Sequence, residues 1–456
     1  MKKIHFISIG GSAMHNLAIA LKLKNEYIIT GSDDEIFEPS KSRLEKHGLL
    51  PLEMGWFPDK ITEDISAIIL GMHARADNPE LLKAQELNLP IFSYPEYLYE
   101  QSKDKTRLVV GGSHGKTSIT AMILHVLQDL SLNFDYMVGA QLKGFETMVK
   151  ISKEAKLMVL EGDEYLSSPI DRRPKFHLYK GNIAILSGIA WDHINVFPTF
   201  ENYLDQFRIF IDTLDANATL IYCENDLVLK QLVEEHPRTD VLKIPYSTHP
   251  YRVSEGICYL ETSAQEIPLQ IFGEHNMQNL NAALKACIAL GIDENDFYQS
   301  IQSFKGAARR LELIAENSDS RVYKDFAHSP SKLKATIAAV KNQFQNKKLL
   351  ACMELHTFSS LNKNFLSEYK DSMKYADVAI VYYNTHVIEH KRLENITEEE
   401  VKAAFGRSDI HIFTSTEKLQ DYLKSFDYKG FNLLLMSSGN FDGVNVDQFA
   451  QELLSE

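Results

Sequence analysis

Cysteine is scarce in this sequence: four residues in 456, Cys223, Cys258, Cys287 and Cys352. No two of them form a CxxC pair, which argues against a disulfide framework and against a zinc site. The pattern fits reduced thiols in a cytoplasmic protein. Long hydrophobic runs are missing too. Nothing approaches the roughly 20 apolar residues of a membrane span. The run Ile4 to Ile9 behind Met1-Lys2-Lys3 starts like a signal peptide, but Gly10-Gly11 ends it too early. A basic excess is also absent: 48 Lys and Arg face 62 Asp and Glu, a formal net charge of -14. Binding to nucleic acid rewards the opposite sign. A phosphorylated small molecule needs only a local basic cluster and stays open. There is no repeat and no low-complexity tract. Neither nucleic acid nor membrane is therefore expected as a partner.

What is present is ordinary globular composition, 44% hydrophobic and 24% charged. The length allows about three domains at roughly 150 residues each. Short apolar runs alternate with helical patterns, the mark of an α/β fold with mainly parallel sheets. Three groups separate: residues 1–98, 99–310 and 311–456.

In the first group a buried strand, Ile4 to Ile9, meets the turn Gly10-Gly11-Ser12-Ala13-Met14. A second strand, Tyr27 to Thr30, ends at Gly31-Ser32-Asp33-Asp34. A glycine turn after one strand and an acid after the next is how dinucleotide-type folds hold a phosphate and a ribose. The full GxGxxG pattern is lacking, so a plain structural turn stands beside the nucleotide reading.

The second group carries the strongest signal. The strand Arg107 to Val110 runs into Gly111-Gly112-Ser113-His114-Gly115-Lys116-Thr117-Ser118, and apolar residues then recur at helical spacing from Ile119. Strand, glycine loop and helix together make a phosphate-binding loop. Its N–H groups would cradle phosphates. Lys116 would neutralise the β and γ phosphates of ATP, and the Thr117 hydroxyl would hold Mg²⁺. The long form of the motif fails because Val110 stands where its first glycine belongs. Two further strand ends carry Glu161-Gly162-Asp163-Glu164 and Asp192-His193. Ligands of open parallel sheets sit at such ends, so Glu161 and His193 are expected metal ligands. His275, Asn276 and Asn279 open a helix, where asparagine serves equally as a base reader and as a cap.

The third group alternates again and predicts a second dinucleotide-type sheet. Arg309-Arg310 lies at the junction, and Asp325-Phe326-Ala327-His328-Ser329-Pro330 at a strand end.

Taken in order, these motifs resemble the Mur ligases over the whole chain. The resemblance implies three domains. A Rossmann-like domain, residues 1–98, would bind a UDP-sugar; a central P-loop ATPase, 99–310, would bind ATP; a Rossmann-like domain, 311–456, would bind the amine and close on ATP. It implies catalytic roles for Lys116, His193, Glu161 and Arg309. Nucleotide contacts would come from Gly112 to Ser118, His275, Asn276, Asn279, Arg310, Asp325 and His328. Contacts to UDP-N-acetylmuramate would come from Gly10, Gly11, Ser12, Met14, Ser32, Asp33 and Asn78. Mg²⁺ would sit on Thr117, Glu161 and His193. The implied reaction activates a carboxylate with ATP and joins it to an amino acid or peptide.

Within the family, His114 and the N-terminal glycine turn resemble the muramate-activating branch, whose acceptor is L-alanine or the tripeptide L-alanyl-γ-D-glutamyl-meso-diaminopimelate. Three segments resemble the tripeptide enzymes: Ser32 to Pro39, Asp163 to Phe176 and Met436 to Gly443. The sequence also departs from the pattern. Lys324 replaces an acid, Ser329 a histidine and Gly188 an asparagine. A nucleotide-binding regulator on the same fold is the rival these departures leave open.

Overall fold

The computed structural model describes residues 1–191, 196–263, 265–307 and 310–455. They pack as two compact units: residues 1–189, 200–247 and 282–300 form one, and 190–199, 248–281 and 301–456 the other.

The first unit holds two sheets. One is four-stranded and parallel, built from β1 (Lys2–Ile7), β2 (Tyr27–Ser32), β3 (Ile65–Leu70) and β4 (Ile91–Ser93) in the order β2-β1-β3-β4. Register places Ile7 beside both Ser32 and Leu70. The glycine turn thus opens between neighbouring strand ends and feeds the helix Ser12–Leu23.

The other sheet has seven strands: β5 (Thr106–Gly111), β6 (Asp135–Met137), β7 (Val149–Lys150), β8 (Leu157–Glu161), β9 (Ile183–Leu186), β10 (Thr219–Cys223) and β11 (Leu242–Tyr246). Their order is β11-β10-β9-β5-β8-β6-β7, and only the β6–β7 pair is antiparallel. Leu108, Val109 and Val110 are fully buried, as befits a central strand covered on both faces. β5 lies between β8 and β9, with Val110 beside Glu161 and Gly111 beside Leu186. Three strand ends therefore surround the start of the helix Lys116–Asp129.

The second unit contains an antiparallel three-stranded sheet, β12 (Tyr251–Ser254), β13 (Ile257–Glu261) and β14 (Glu266–Leu269). It also contains a six-stranded sheet of β15 (Glu312–Glu316), β16 (Arg321–Asp325), β17 (Lys348–Glu354), β18 (Val378–Tyr382), β19 (His411–Phe413) and β20 (Phe431–Met436). The order is β15-β16-β20-β17-β18-β19, parallel except for β15. The fold is thus the expected α/β arrangement: a Rossmann-like sheet at each end of the chain and a mainly parallel P-loop sheet between them. The antiparallel sheet β12–β14 lay outside the sequence reading. Among the described residues, no helix is long and apolar enough to cross a membrane.

Candidate active site

The phosphate loop is fixed from below by β9. Ser187 N donates to Gly111 O (3.1 Å) and Ser113 N to Gly188 O (3.0 Å). Gly112 has φ +120°, and a Cβ there would lie 2.3 Å from Ser187 Oγ. Only glycine fits such a turn against neighbouring backbone. Gly188, the departure noted in the sequence, has a physical reason as well: a Cβ on it would meet His114 Cε1 at 2.5 Å. The His114 imidazole takes that space, and the His114 backbone carbonyl accepts from the Ser187 hydroxyl.

Lys116 is the electrostatic centre. Its Nζ donates to Gly112 O (2.7 Å) and to Glu164 Oε2 (2.6 Å). Burial alone would lower the Lys116 pKa; the Glu164, Asp163 and Glu161 carboxylates outweigh it and hold the ammonium above its ordinary value. Tyr203 OH donates to Glu164 Oε1 and lies 3.1 Å from Ser113 Oγ. Lys116, Glu164, Tyr203 and Ser113 thus form a ring of polar contacts around the loop. Glu164 and Tyr203 were not among the expected site residues, because nothing local marks a contact across 48 or 90 positions.

Thr117 Oγ1 donates to Glu161 Oε1 (2.8 Å), and Glu161 Oε2 accepts from Gly139 N (2.8 Å). A hydroxyl and a carboxylate beside a phosphate loop are hard oxygen donors, the set Mg²⁺ takes together with water and substrate phosphates. The residues present fit that ion. Asp192, His193 and Arg309 lie outside the described residues.

At the other sheet of the same unit, Asp33 Oδ2 accepts from Gly10 N (2.7 Å) and Oδ1 from Asp34 N (3.0 Å). The acid closes the turn that carries Gly10, Gly11 and Ser12. Burial pushes the Asp33 carboxyl up to about 6. Ser32 and Met14 are buried beneath the turn. Asn78, expected against the substrate, is buried, and its Oδ1 caps the helix Pro79–Glu86, accepting from Glu80 N (2.9 Å) and Leu81 N (3.2 Å).

In the second unit, His275, Asn276 and Asn279 stand on the first turns of the helix Glu274–Ala289. Asn276 Nδ2 donates to the carbonyl four residues back, Phe272 O (2.8 Å), so one edge of its amide is engaged with the backbone. Asp325 is buried with both oxygens engaged, Oδ2 by Leu311 N (2.7 Å) and Oδ1 by Ala327 N (2.6 Å). Burial raises its pKa against the pull of Arg310 and those N–H groups. Its observed part is to fix the chain where residues 310–311 enter the sheet. His328 Nδ1 lies 2.8 Å from Phe326 O, and the Arg310 guanidinium stacks 4.8 Å over the Phe326 ring.

The end of β17 and the loop that follows β20 meet in the same unit. Glu354 ends β17, and its Oε2 accepts from the Ser437 hydroxyl and from Phe441 N (2.9 Å); its Oε1 lies 3.5 Å from His356 Nδ1. Burial would raise the Glu354 pKa, but His356, Ser437 and Phe441 pull it below the ordinary range. The loop Ser437–Gly443 is thereby tied to the end of the adjacent strand. Beside it, Lys324, Ser437, Asn440, Asn445 and Asp447 are among the residues lining a cavity of about 210 Å³. Lys324, in place of an acid, pairs with Asp447 at 2.6 Å.

Comparison with known proteins gives the family. The Mur ligase family catalytic domain matches residues 3–106, the Mur ligase middle domain 110–287 and the Mur ligase glutamate ligase domain 309–439. The UDP-N-acetylmuramate–L-alanine ligase of Caldicellulosiruptor bescii is 30% identical over 415 residues, covering 88% of this chain and 88% of that protein. The chain belongs to the Mur ligase family. Like other Mur ligases it is an ATP-dependent carbon–nitrogen ligase that forms an amide, and use of ATP and Mg²⁺ is the family expectation. The UDP-N-acetylmuramate–L-alanyl-γ-D-glutamyl-meso-2,6-diaminoheptandioate ligase of Escherichia coli is 27% identical over 458 residues, 97% of this chain and 96% of that protein. Among solved structures, the UDP-N-acetylmuramate–alanine ligase of Thermotoga maritima superposes with a TM-score of 0.70 at 20% identity over 97% of each chain. The murein peptide ligase of Psychrobacter arcticus gives 0.66 at 20% identity over 100% of this chain and 98% of that one. At that identity both structures speak for the Mur ligase fold alone.

Proposed function

We propose that this Mur ligase joins the lactyl carboxylate of UDP-N-acetylmuramate to an amine through an acyl phosphate. Residues 1–98 take the sugar nucleotide, 99–310 ATP and 311–456 the acceptor. The observation that carries the reading is the Lys116, Thr117 and Glu161 constellation at the ends of β5 and β8. A carboxylate oxygen attacks the γ-phosphorus and ADP leaves. The amine then attacks the acyl carbon, loses a proton, and phosphate departs with the carboxylate oxygen. Carboxylate and ATP repel each other, so positive charge between them lowers the barrier. Lys116, moving from Glu164 to the phosphates, supplies part of it, and the loop N–H groups from Gly112 to Ser118 orient the chain of phosphates. Bound Mg²⁺ supplies further charge neutralisation, held by Thr117, Glu161 and, from its sequence position, His193. Gly10, Gly11, Ser12 and Asp33 hold the sugar nucleotide; His275, Asn279, Arg310 and His328 contact ATP.

For the acceptor, the relatives favour L-alanine over the tripeptide expected from the sequence segments. The L-alanine ligases of Carboxydothermus hydrogenoformans and Caldicellulosiruptor bescii support it. The tripeptide remains a second reading because of the Escherichia coli relative and of the segment 163–176. There Lys175 pairs with Asp163 (2.6 Å) and Arg173 with Asp171 (2.6 Å), in the stretch that resembles the tripeptide enzymes. Phosphate release with ATP, Mg²⁺ and UDP-N-acetylmuramate, comparing the two acceptors and weighing the products, decides. Turnover with L-alanine is the expected result. Turnover with the tripeptide alone moves the protein to the second reading. Release with neither, despite ATP binding, returns the regulator.

A further inference from the structure

The segment between β6 and β7 is a closed loop. Val138 N donates to Met148 O (3.0 Å) and Tyr136 OH to Thr147 O (3.1 Å), while the Tyr136 ring packs edge-on against Phe145 at 5.1 Å. Inside the loop Gln141 Nε2 donates to Phe145 O. One end of this loop grips the metal acid. Gly139 N donates to Glu161 Oε2, and a Cβ on Gly139 would lie 2.7 Å from Glu161 Oε1. The carboxylate therefore rests flat on a residue that has no side chain.

The other end is gripped by the N-terminal sheet's helices. Asn16 Oδ1 accepts from Met148 N (2.9 Å), and Asn16 Nδ2 donates to Ser12 O (2.8 Å). Arg43, on the helix Ser40–Lys46, bridges both parts: Nη2 donates to Gln141 Oε1 (2.7 Å) and Nη1 to Asn16 Oδ1 (3.3 Å). Ser12 belongs to the turn assigned to the sugar nucleotide. Polar contacts thus run from that turn through Asn16 and Arg43 to Gln141, and two residues back along the same loop Gly139 N meets Glu161.

We infer that Arg43 and Gln141 are positioning residues that couple occupancy of the Gly10–Ser12 turn to the placement of Glu161. The inference rests on the proposed function, which gives the turn to UDP-N-acetylmuramate and Glu161 to Mg²⁺-ATP. Ordering the start of the helix Ser12–Leu23 steadies Asn16 and Arg43. These hold the loop shut, and the loop holds the Glu161 carboxylate. A second ligand that needs Glu161 in place then loses less conformational entropy on binding. Coupling of this kind is reciprocal.

Calorimetric titration of the full chain with a non-hydrolysable ATP analogue and Mg²⁺, with and without saturating UDP-N-acetylmuramate, tests it. In the unmodified protein the sugar nucleotide should tighten analogue binding about tenfold, within the usual range of such couplings. In Arg43→Ala and in Gln141→Ala the tightening should fall below about twofold, while each ligand alone binds within about twofold of its original affinity. Arg43→Lys, which keeps a donor, should recover part of the coupling. Both replaced side chains are only partly buried, so the variants should fold. Tenfold coupling that persists in both alanine variants overturns the inference, as does an unmodified protein that binds both ligands independently. An unmodified protein that binds neither ligand overturns the proposed function as well, so the two failures are told apart.

Discussion

Lys116→Ala should lower ATP-dependent phosphate release by at least about a hundredfold, the usual loss when one electrostatic donor to a transition state is removed. The same substitution should destabilise the ligand-free protein by about 3 kcal/mol, the lower end of the range for breaking a buried ion pair. The second effect follows from Glu164, whose side chain is only 1% exposed and whose Oε2 loses the Lys116 ammonium. A buried carboxylate that loses its cation keeps its desolvation cost without the attraction that offset it. Adding Glu164→Gln to Lys116→Ala removes that charge. The double variant should therefore regain most of the melting temperature and none of the activity. Comparing thermal denaturation and turnover for the two variants separates the cation's two parts, holding Glu164 and serving the phosphates. Equal melting temperatures for Lys116→Ala and the unmodified protein would refute the stabilising role.

Gly112→Ala should weaken nucleotide binding by more than about a hundredfold, because the loop cannot keep its shape. The added Cβ would lie 2.3 Å from Ser187 Oγ and 2.7 Å from Ser187 N, at a φ of +120°. Backbone strain alone at such a φ costs on the order of 1–3 kcal/mol. The overlap with Ser187 must then be relieved by moving either the loop or the end of β9. Either movement breaks the Ser113 N to Gly188 O bond and shifts the Gly112 carbonyl that Lys116 meets. Gly430→Ala is the control. Its φ is also positive, at +77°, but a Cβ there meets nothing within 4 Å. Its cost should stop at strain, with nucleotide affinity unchanged. Titration with ATP and Mg²⁺ on both variants checks the contrast.

The sequence was most legible where chemistry and local pattern coincide. Ile183–Leu186, Val378–Tyr382 and His411–Phe413 are apolar runs between clear breaks, and the strands have those bounds. The phosphate loop was legible because a glycine turn, a lysine and a helix must follow one another in the chain. Less legible was anything set by strand order. That Glu164 rather than solvent receives Lys116 depends on β8 lying beside β5. That Tyr203 reaches Ser113 depends on where the helix Phe200–Thr213 packs. The antiparallel strands β12–β14 were poorly legible because β12 is half-buried along its whole length and the four-residue β14 contains Pro268. Asparagine and aspartate are ambiguous in sequence for a single reason. Their short polar side chains serve backbone N–H groups as readily as ligands, and Asn78 and Asp325 are engaged that way here.

The central claim is that ATP activates the lactyl carboxylate as an acyl phosphate. Oxygen transfer tests it most directly. UDP-N-acetylmuramate carrying ¹⁸O in its lactyl carboxylate is incubated with the protein, ATP, Mg²⁺ and the productive acceptor, and the released phosphate is analysed by mass. The account predicts one ¹⁸O in the inorganic phosphate for each amide formed, with ADP as the nucleotide product. Amide formation with unlabelled phosphate, or with ¹⁸O recovered in AMP, would contradict it.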